Sequence, residues 1–209
     1  MALRNDGTNM VTNATVADLW QPCEKRLVHL YDLTLIVGGS LLIALCAKVK
    51  VLLPLGPVPV TGQTFAVLMI GALLGPRRGC LTVLAYLMEG AAGLPVFAFG
   101  GGLGEFAGPT GGYLVGFLPA AYVTGFLARR GWDRRMSTTV LAMTIGNAAI
   151  YACGLFWLCR LMGVTAGVVA AGLYPFLVGD VLKIALAAIL LPSGWRLLEY
   201  FSLAGNDEP

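Results

Sequence analysis

The chain has 209 residues, 57% hydrophobic and 12% charged, with a formal net charge of +3 and a mean hydropathy of +0.79. A soluble domain carries about 25% charged residues, so this composition excludes a soluble enzyme and predicts an all-α integral membrane protein. At about 20 residues per span, the length holds about six transmembrane helices and no sizeable soluble domain.

Residues 1–29 read as a polar tail, with an interfacial amphipathic helix over 15–31 and a frayed terminus as equal alternatives. No apolar stretch within 1–26 suits a cleavable signal peptide. Helix 1 is expected over 31–50, where Ser40 and Ala44 form a small-xxx-small pair that admits a close neighbour. PLGPVPVTGQ at 54–63 holds Pro54, Pro57 and Pro59, which cannot continue a helix, so a stiff hairpin is expected. Thr61 and Gln63 then open a short helix 2, to about residue 74. GPRRG at 75–79 is a tight turn, and helix 3 follows over 80–90.

Residues 93–112, GLPVFAFGGGLGEFAGPTGG, are too rich in glycine and proline for a helix. They are also too apolar for an ordinary solvated loop. Non-helical chain at a membrane survives only where it is buried in protein or lines a cavity, so this loop is expected to line a site. Helix 4 is expected over 113–128 and helix 5 from Ser137 or Thr138 to about 161. A small-residue connection fills 163–173, and helix 6 runs over 174–191, stopping at Pro192. The predicted division is tail 1–29, membrane domain 30–192 and C-terminal tail 193–209.

Charge sets the orientation. With six spans, Arg4, Lys25, Arg26, Arg77, Arg78, Arg129, Arg130, Arg134, Arg135 and Arg196 fall on one side, leaving Lys48, Lys50, Arg160 and Lys183 elsewhere. The positive-inside rule makes the arginine side cytoplasmic, with both termini inside and the glycine-rich loop outside. The positive charge thus reflects topology, and no nucleic-acid partner is expected.

Asp180 and Lys183 share one face of helix 6, and ionisable groups within a span mark functional sites. Reading each helix in its direction puts Thr61, Gln63, Tyr86, Glu89, Asn147 and Tyr151 at a similar depth toward the outer side. Glu89 read alone also suits a water boundary, Asn147 a helix–helix hydrogen bond and the tyrosines an interface belt. The five cysteines sit mostly in apolar runs, with no Cys-x-x-Cys, and read as buried hydrophobes. His29 is the sole histidine, so no metal site is expected. No P-loop or Gly-x-Ser-x-Gly is present, and a glycine pattern at 102–107 lacks the strand context of a dinucleotide site.

Five motifs in this order, PVPVTGQT (57–64), GALLGPRRG (71–79), GAAGLPVF (90–97), GPTGGYLVG (108–116) and GLYPFLVGDVLK (172–183), make the chain resemble the BioY family. These are biotin-binding S components of energy-coupling-factor vitamin transporters. The resemblance implies six helices in a prokaryotic cell membrane and biotin held near the outer surface. It also implies a transmembrane T component and two cytoplasmic ATPases as partners, with no nucleotide site or cofactor in this chain. Ser40 and Ala44 are then the nearest match to the family's T-component docking motif. Biotin chemistry suggests Asp180 accepting a ureido N–H, Asn147 donating to the ureido carbonyl, and Lys183 orienting Asp180 or meeting a ligand oxygen. Gly100, Gly101 and Gly102 would offer bare backbone N–H groups, while Phe97, Phe99 and Tyr86 pack on the bicycle. An S component for another vitamin, a membrane enzyme using Asp180, Lys183 and Glu89, and a structural membrane partner are the rival readings.

Overall fold

The computed structural model describes residues 14–51 and 58–204, of which 202–204 by backbone alone. Pro54 and Pro57 of the expected hairpin lie outside the described residues; the strands flanking it, β1 (Lys50–Val51) and β2 (Val60–Thr61), pair antiparallel. The helices are α1 (Lys25–Lys48), α2 (Gln63–Ala91), α3 (Gly104–Ala107), α4 (Gly111–Arg129), α5 (Met136–Met162) and α6 (Ala166–Ala204). Among the described residues, five of these, all but α3, are long and apolar enough to cross a membrane.

The expected helices 2 and 3 form the single element α2, broken at Gly75, whose φ of 83° and ψ of 176° are far from helical. Residues 23 apart on a straight helix would lie about 35 Å apart at 1.5 Å per residue. Instead Gln63 hydrogen-bonds the Tyr86 hydroxyl, so the chain reverses at Gly75 and the two limbs run side by side. A left-handed φ suits glycine, which carries no Cβ to clash. The limbs approach closely: a Cβ on Gly79 would lie 3.1 Å from the Gly71 Cα.

The hairpin is the centre of the bundle. It packs against α1 on one flank and α4 on the other, α4 packs against α5, and α5 against α6. Gly125 of α4 meets the reversal itself, where an added Cβ would sit 2.5 Å from the Pro76 nitrogen. Ile43, Val67, Val83, Phe117, Met143 and Ile150 are among the residues of the shared core.

Several boundaries differ from those expected. The N-terminal segment is neither frayed nor an amphipathic helix over its described part. It forms a 3-10 turn, Val16–Trp20, with Thr15 and Ala17 buried and Thr15 Cγ2 near Gly75. Asp18 ties this turn to Arg78 at 2.6 Å, and Asp32 of α1 takes the same guanidinium at 2.7 Å. Helix 1 starts earlier than expected, at Lys25, and helix 5 is capped at Arg135. Helix 6 neither starts at 174 nor stops at Pro192. It begins at Ala166 and continues to Ala204, through both Pro175 and Pro192. The continuation is anchored by Trp195, buried, whose Nε1 donates to Asp133 Oδ2 at 2.6 Å. Arg134 covers the Trp195 ring at 4.4 Å. Tertiary contact thus overrides the local helix-breaking signal of Pro-Ser-Gly. Burial pushes the Asp133 carboxyl up, although the Trp195 bond works against that.

Candidate functional site

The arginine-bearing turn and links lie at one end of the bundle. At the other end, where α2 and α4 begin, the glycine-rich loop, α5 and α6 converge on a cleft. Aromatic rings dominate its walls: Phe97 from the loop, Tyr113 and Phe117 from α4, Tyr151 from α5 and Phe176 from α6. Thr61, Gln63 and Thr64 supply polar groups from the start of α2, Glu105 from α3 and Thr110 from just after it.

A smaller cavity has Thr64 in common with the cleft and is lined by Asn147, Asp180 and Lys183. Asp180 is buried. Its Oδ2 accepts from the Tyr151 hydroxyl, and its Oδ1 from Lys183 Nζ at 3.2 Å. Lys183 also donates to Thr64 Oγ1 at 2.8 Å. Asp180 and Lys183 lie one turn apart on α6, so a single helix face presents both charges. The Asn147 side-chain oxygen is buried without a protein partner. An unsatisfied buried acceptor costs about 1–3 kcal/mol, which makes this corner receptive to an N–H from outside the chain.

A second relay shapes the cleft floor. Thr61 Oγ1 donates to Gln63 Oε1 at 2.9 Å, Gln63 donates to the Tyr86 hydroxyl, and Tyr86 donates to the Val96 carbonyl at 3.3 Å. It ties the two ends of the α2 hairpin to the loop. The loop in turn seats Phe97, which is buried and meets Tyr86 and Phe106 edge-on at 5.3 and 5.5 Å.

The structure therefore brings Thr61, Gln63, Phe97, Tyr151, Asn147, Asp180 and Lys183 to one region, with Tyr86 directly beneath. It puts other expected residues elsewhere. Gly100 and Gly102 spend backbone groups on the loop itself: Phe97 N–H donates to the Gly100 carbonyl and Gly102 N–H to the Gly90 carbonyl. Gly101 allows close chain contact, since a Cβ there would lie 2.0 Å from the Leu94 carbonyl. These glycines shape the loop, and Gly102 has no bare N–H to offer. Phe99 is half-exposed. Glu89 turns toward α1, where its Oε1 accepts from Ser40 Oγ at 2.8 Å, and it does not line the cleft.

That bond also bears on Ser40 and Ala44. Ser40 is fully buried and Ala44 packs on the core. Ser40 thus faces α2, while Leu33, Val37, Leu41 and Leu45 are among the outward residues of α1. Spacing alone gives a small-residue pair but not the face it occupies.

Sequence reasoning missed Thr64, Glu105, Thr110, Tyr113 and Phe176 as lining residues. Thr64, Thr110, Tyr113 and Phe176 all sit inside the motifs quoted above, so the signal was present but unranked. Lys48 and Lys50 were also missed. Lys48 Nζ donates to the carbonyls of Pro95 and Phe97, and Lys50 Nζ to that of Ala98. Two lysines at the end of α1 and just beyond it thus clip the loop that roofs the cleft.

A helical membrane bundle with a polar-cornered aromatic cleft at one end defines a membrane protein built to hold a small amphipathic solute. The chain belongs to the BioY family, whose profile matches residues 20–200. It is 38% identical over 160 residues to the biotin transporter BioY of Rhizobium etli, covering 73% of this chain and 86% of that one. With the biotin transporter BioY of Thermotoga maritima it shares 40% identity over 139 residues, 66% of this chain and 81% of that one. These relatives are transporters, not enzymes. The fold is similar to the crystal structure of the S-component for biotin from an ECF-type ABC transporter. The TM-score is 0.72 at 23% identity, over 84% of this chain and 95% of that one.

Proposed function

We propose that this chain is the biotin-binding S component of an energy-coupling-factor uptake system, taking the vitamin from the outer side of a prokaryotic cell membrane. Counting the two limbs of α2 separately gives six spans, with both termini and the arginine-bearing links on the cytoplasmic side. A transmembrane T component and two ATPases would supply the power stroke, since the chain carries no P-loop.

The observation that carries the reading is the Asp180 corner. Two carboxylate positions are taken by Tyr151 and Lys183, and an ionised carboxylate offers about four acceptor sites, so room remains for a ureido N–H. The unpartnered Asn147 oxygen suits the second ureido N–H. This reverses the donor role expected for Asn147 and leaves Lys183 as the donor to the ureido carbonyl. The aromatic walls of the adjoining cleft match the apolar bicycle.

The test is titration of biotin into the detergent-purified chain. Binding is expected, and Asp180→Asn should weaken it roughly tenfold to a few hundredfold, because a hydrogen bond to a charged group contributes about 1.5–3 kcal/mol. Unchanged affinity in the folded variant would remove Asp180 from the site; no binding by the unmodified chain would end the biotin reading.

A further inference from the structure

The cleft has a cation at its rim that the corner around Asp180 does not use. We propose that Lys50 recognises the free carboxylate of the ligand, its ammonium passing from the Ala98 carbonyl to the acid. This rests on the biotin reading and deepens it, because the site becomes selective for a free acid over a neutral-ended analogue.

Register sets up the placement. Lys50 pairs directly with Thr61 in the β1–β2 ladder, and directly opposed residues of an antiparallel pair project from the same face. Thr61 lines the cleft, so the Lys50 side chain rises on the cleft side. Its Nζ then lies 2.6 Å from the carbonyl of Ala98, itself a cleft-lining residue, and 4.8 Å over the Phe99 ring. The charge is thereby held at the rim between two walls of the cleft.

The other lysines nearby are committed. Lys183 is ion-paired with Asp180, and Lys48 holds two loop carbonyls. Among the described residues no ion pair involves Lys50, and residues 52–57 contain no acid. Its positive charge meets only a carbonyl dipole and a ring, and a carboxylate brings a full opposite charge, whose Coulomb attraction exceeds that of either. Among the described residues Glu105 is the one carboxylate lining the cleft, and its repulsion steers an anionic tail away from α3 and toward Lys50.

Paired titrations of biotin and biotinamide test this. The two ligands share the head and differ in the terminal charge. The unmodified chain should prefer biotin by roughly tenfold to a hundredfold, and the preference should shrink as salt is raised. Lys50→Met should erase the difference between the two ligands, biotin losing more affinity than biotinamide. Lys50→Gln, which keeps a donor for Ala98 without the charge, should do the same, and Lys50→Arg should retain the preference. An equal loss for both ligands in Lys50→Met and Lys50→Gln overturns the proposal, since that is what loss of the loop clip alone would give. A preference that survives in Lys50→Met, or that the unmodified chain lacks, overturns it too. Binding of neither ligand by the unmodified chain removes the biotin reading and this inference with it, an outcome distinct from binding without preference.

Discussion

Gly90 and Phe97 show how a single missing side chain sets the cleft wall. A Cβ on Gly90 would fall 2.0 Å from Cζ of the Phe97 ring, so the ring occupies the space where any other residue would begin. Gly90 also accepts the Gly102 N–H that closes the loop. Overpacking a tight site costs about 1–3 kcal/mol, and here the movable part is the ring that lines the cleft. Gly90→Ala should therefore weaken biotin binding by roughly tenfold to a hundredfold, with the thermal transition little changed because the loop can swing out. Titration beside a melting curve checks this; wild-type affinity would mean that Phe97 is not needed where it sits. Asp180 was legible in the sequence because a carboxylate is so costly within a span. Lys50 was not, because an isolated lysine at a helix end has an ordinary reading as a solvated charge. Its value comes from the partner strand and the loop, which are far away in sequence.

At the scale of elements, the polar residues before α1 form a built contact. Thr15 donates through both its N–H and its hydroxyl to Asp18, at 2.9 and 2.8 Å, and Asp18 reaches Arg78 at the hairpin reversal. Tyr31 of α1 donates to the Ala17 carbonyl at 2.8 Å. Burial works to raise the Asp18 carboxyl, but the Thr15 bonds and the Arg78 guanidinium outweigh it, so it lies below its ordinary value of 3.8. A depressed folded value means stability that is complete above about pH 4 and lost as the pH falls through the folded value. For this partly exposed pair the contribution is about 0.5–1 kcal/mol. Asp18→Asn should lower the melting temperature at neutral pH by a few degrees and flatten its decline in acid. Melting curves from pH 7 to 3 in detergent decide it, and parallel acid profiles for the two proteins would contradict the assignment. The helices were readable from hydropathy, and the Gly75 turn from GPRRG. The N-terminal turn and the run of α6 past Pro192 were not, because Arg78 and Asp133 hold them from elsewhere in the chain, where local propensity has no access.

The whole molecule has two unlike ends. One carries Arg78, Arg129, Arg130 and Asp133, closed over by the N-terminal turn and by Trp195 of α6. The other holds the cleft, the glycine-rich loop and the 163–165 link, with Val164 highly exposed. Charge asymmetry was legible in sequence and gave the proposed orientation. That the cleft lies opposite the arginines is a separate fact of packing, and uptake from outside needs both. Orientation can be measured on intact cells with a membrane-impermeant maleimide. Cys23 is exposed just before α1, at the arginine end, while the other four cysteines are half-buried. Cys23 should stay unlabelled until the membrane is permeabilised. Val164→Cys, in a chain whose Cys23 is replaced by serine, should label at once without permeabilisation. The reverse pattern would turn the cleft toward the cytoplasm. A carboxylate ligand would then enter against the proposed direction of transport, and the S-component reading would fall even if biotin bound.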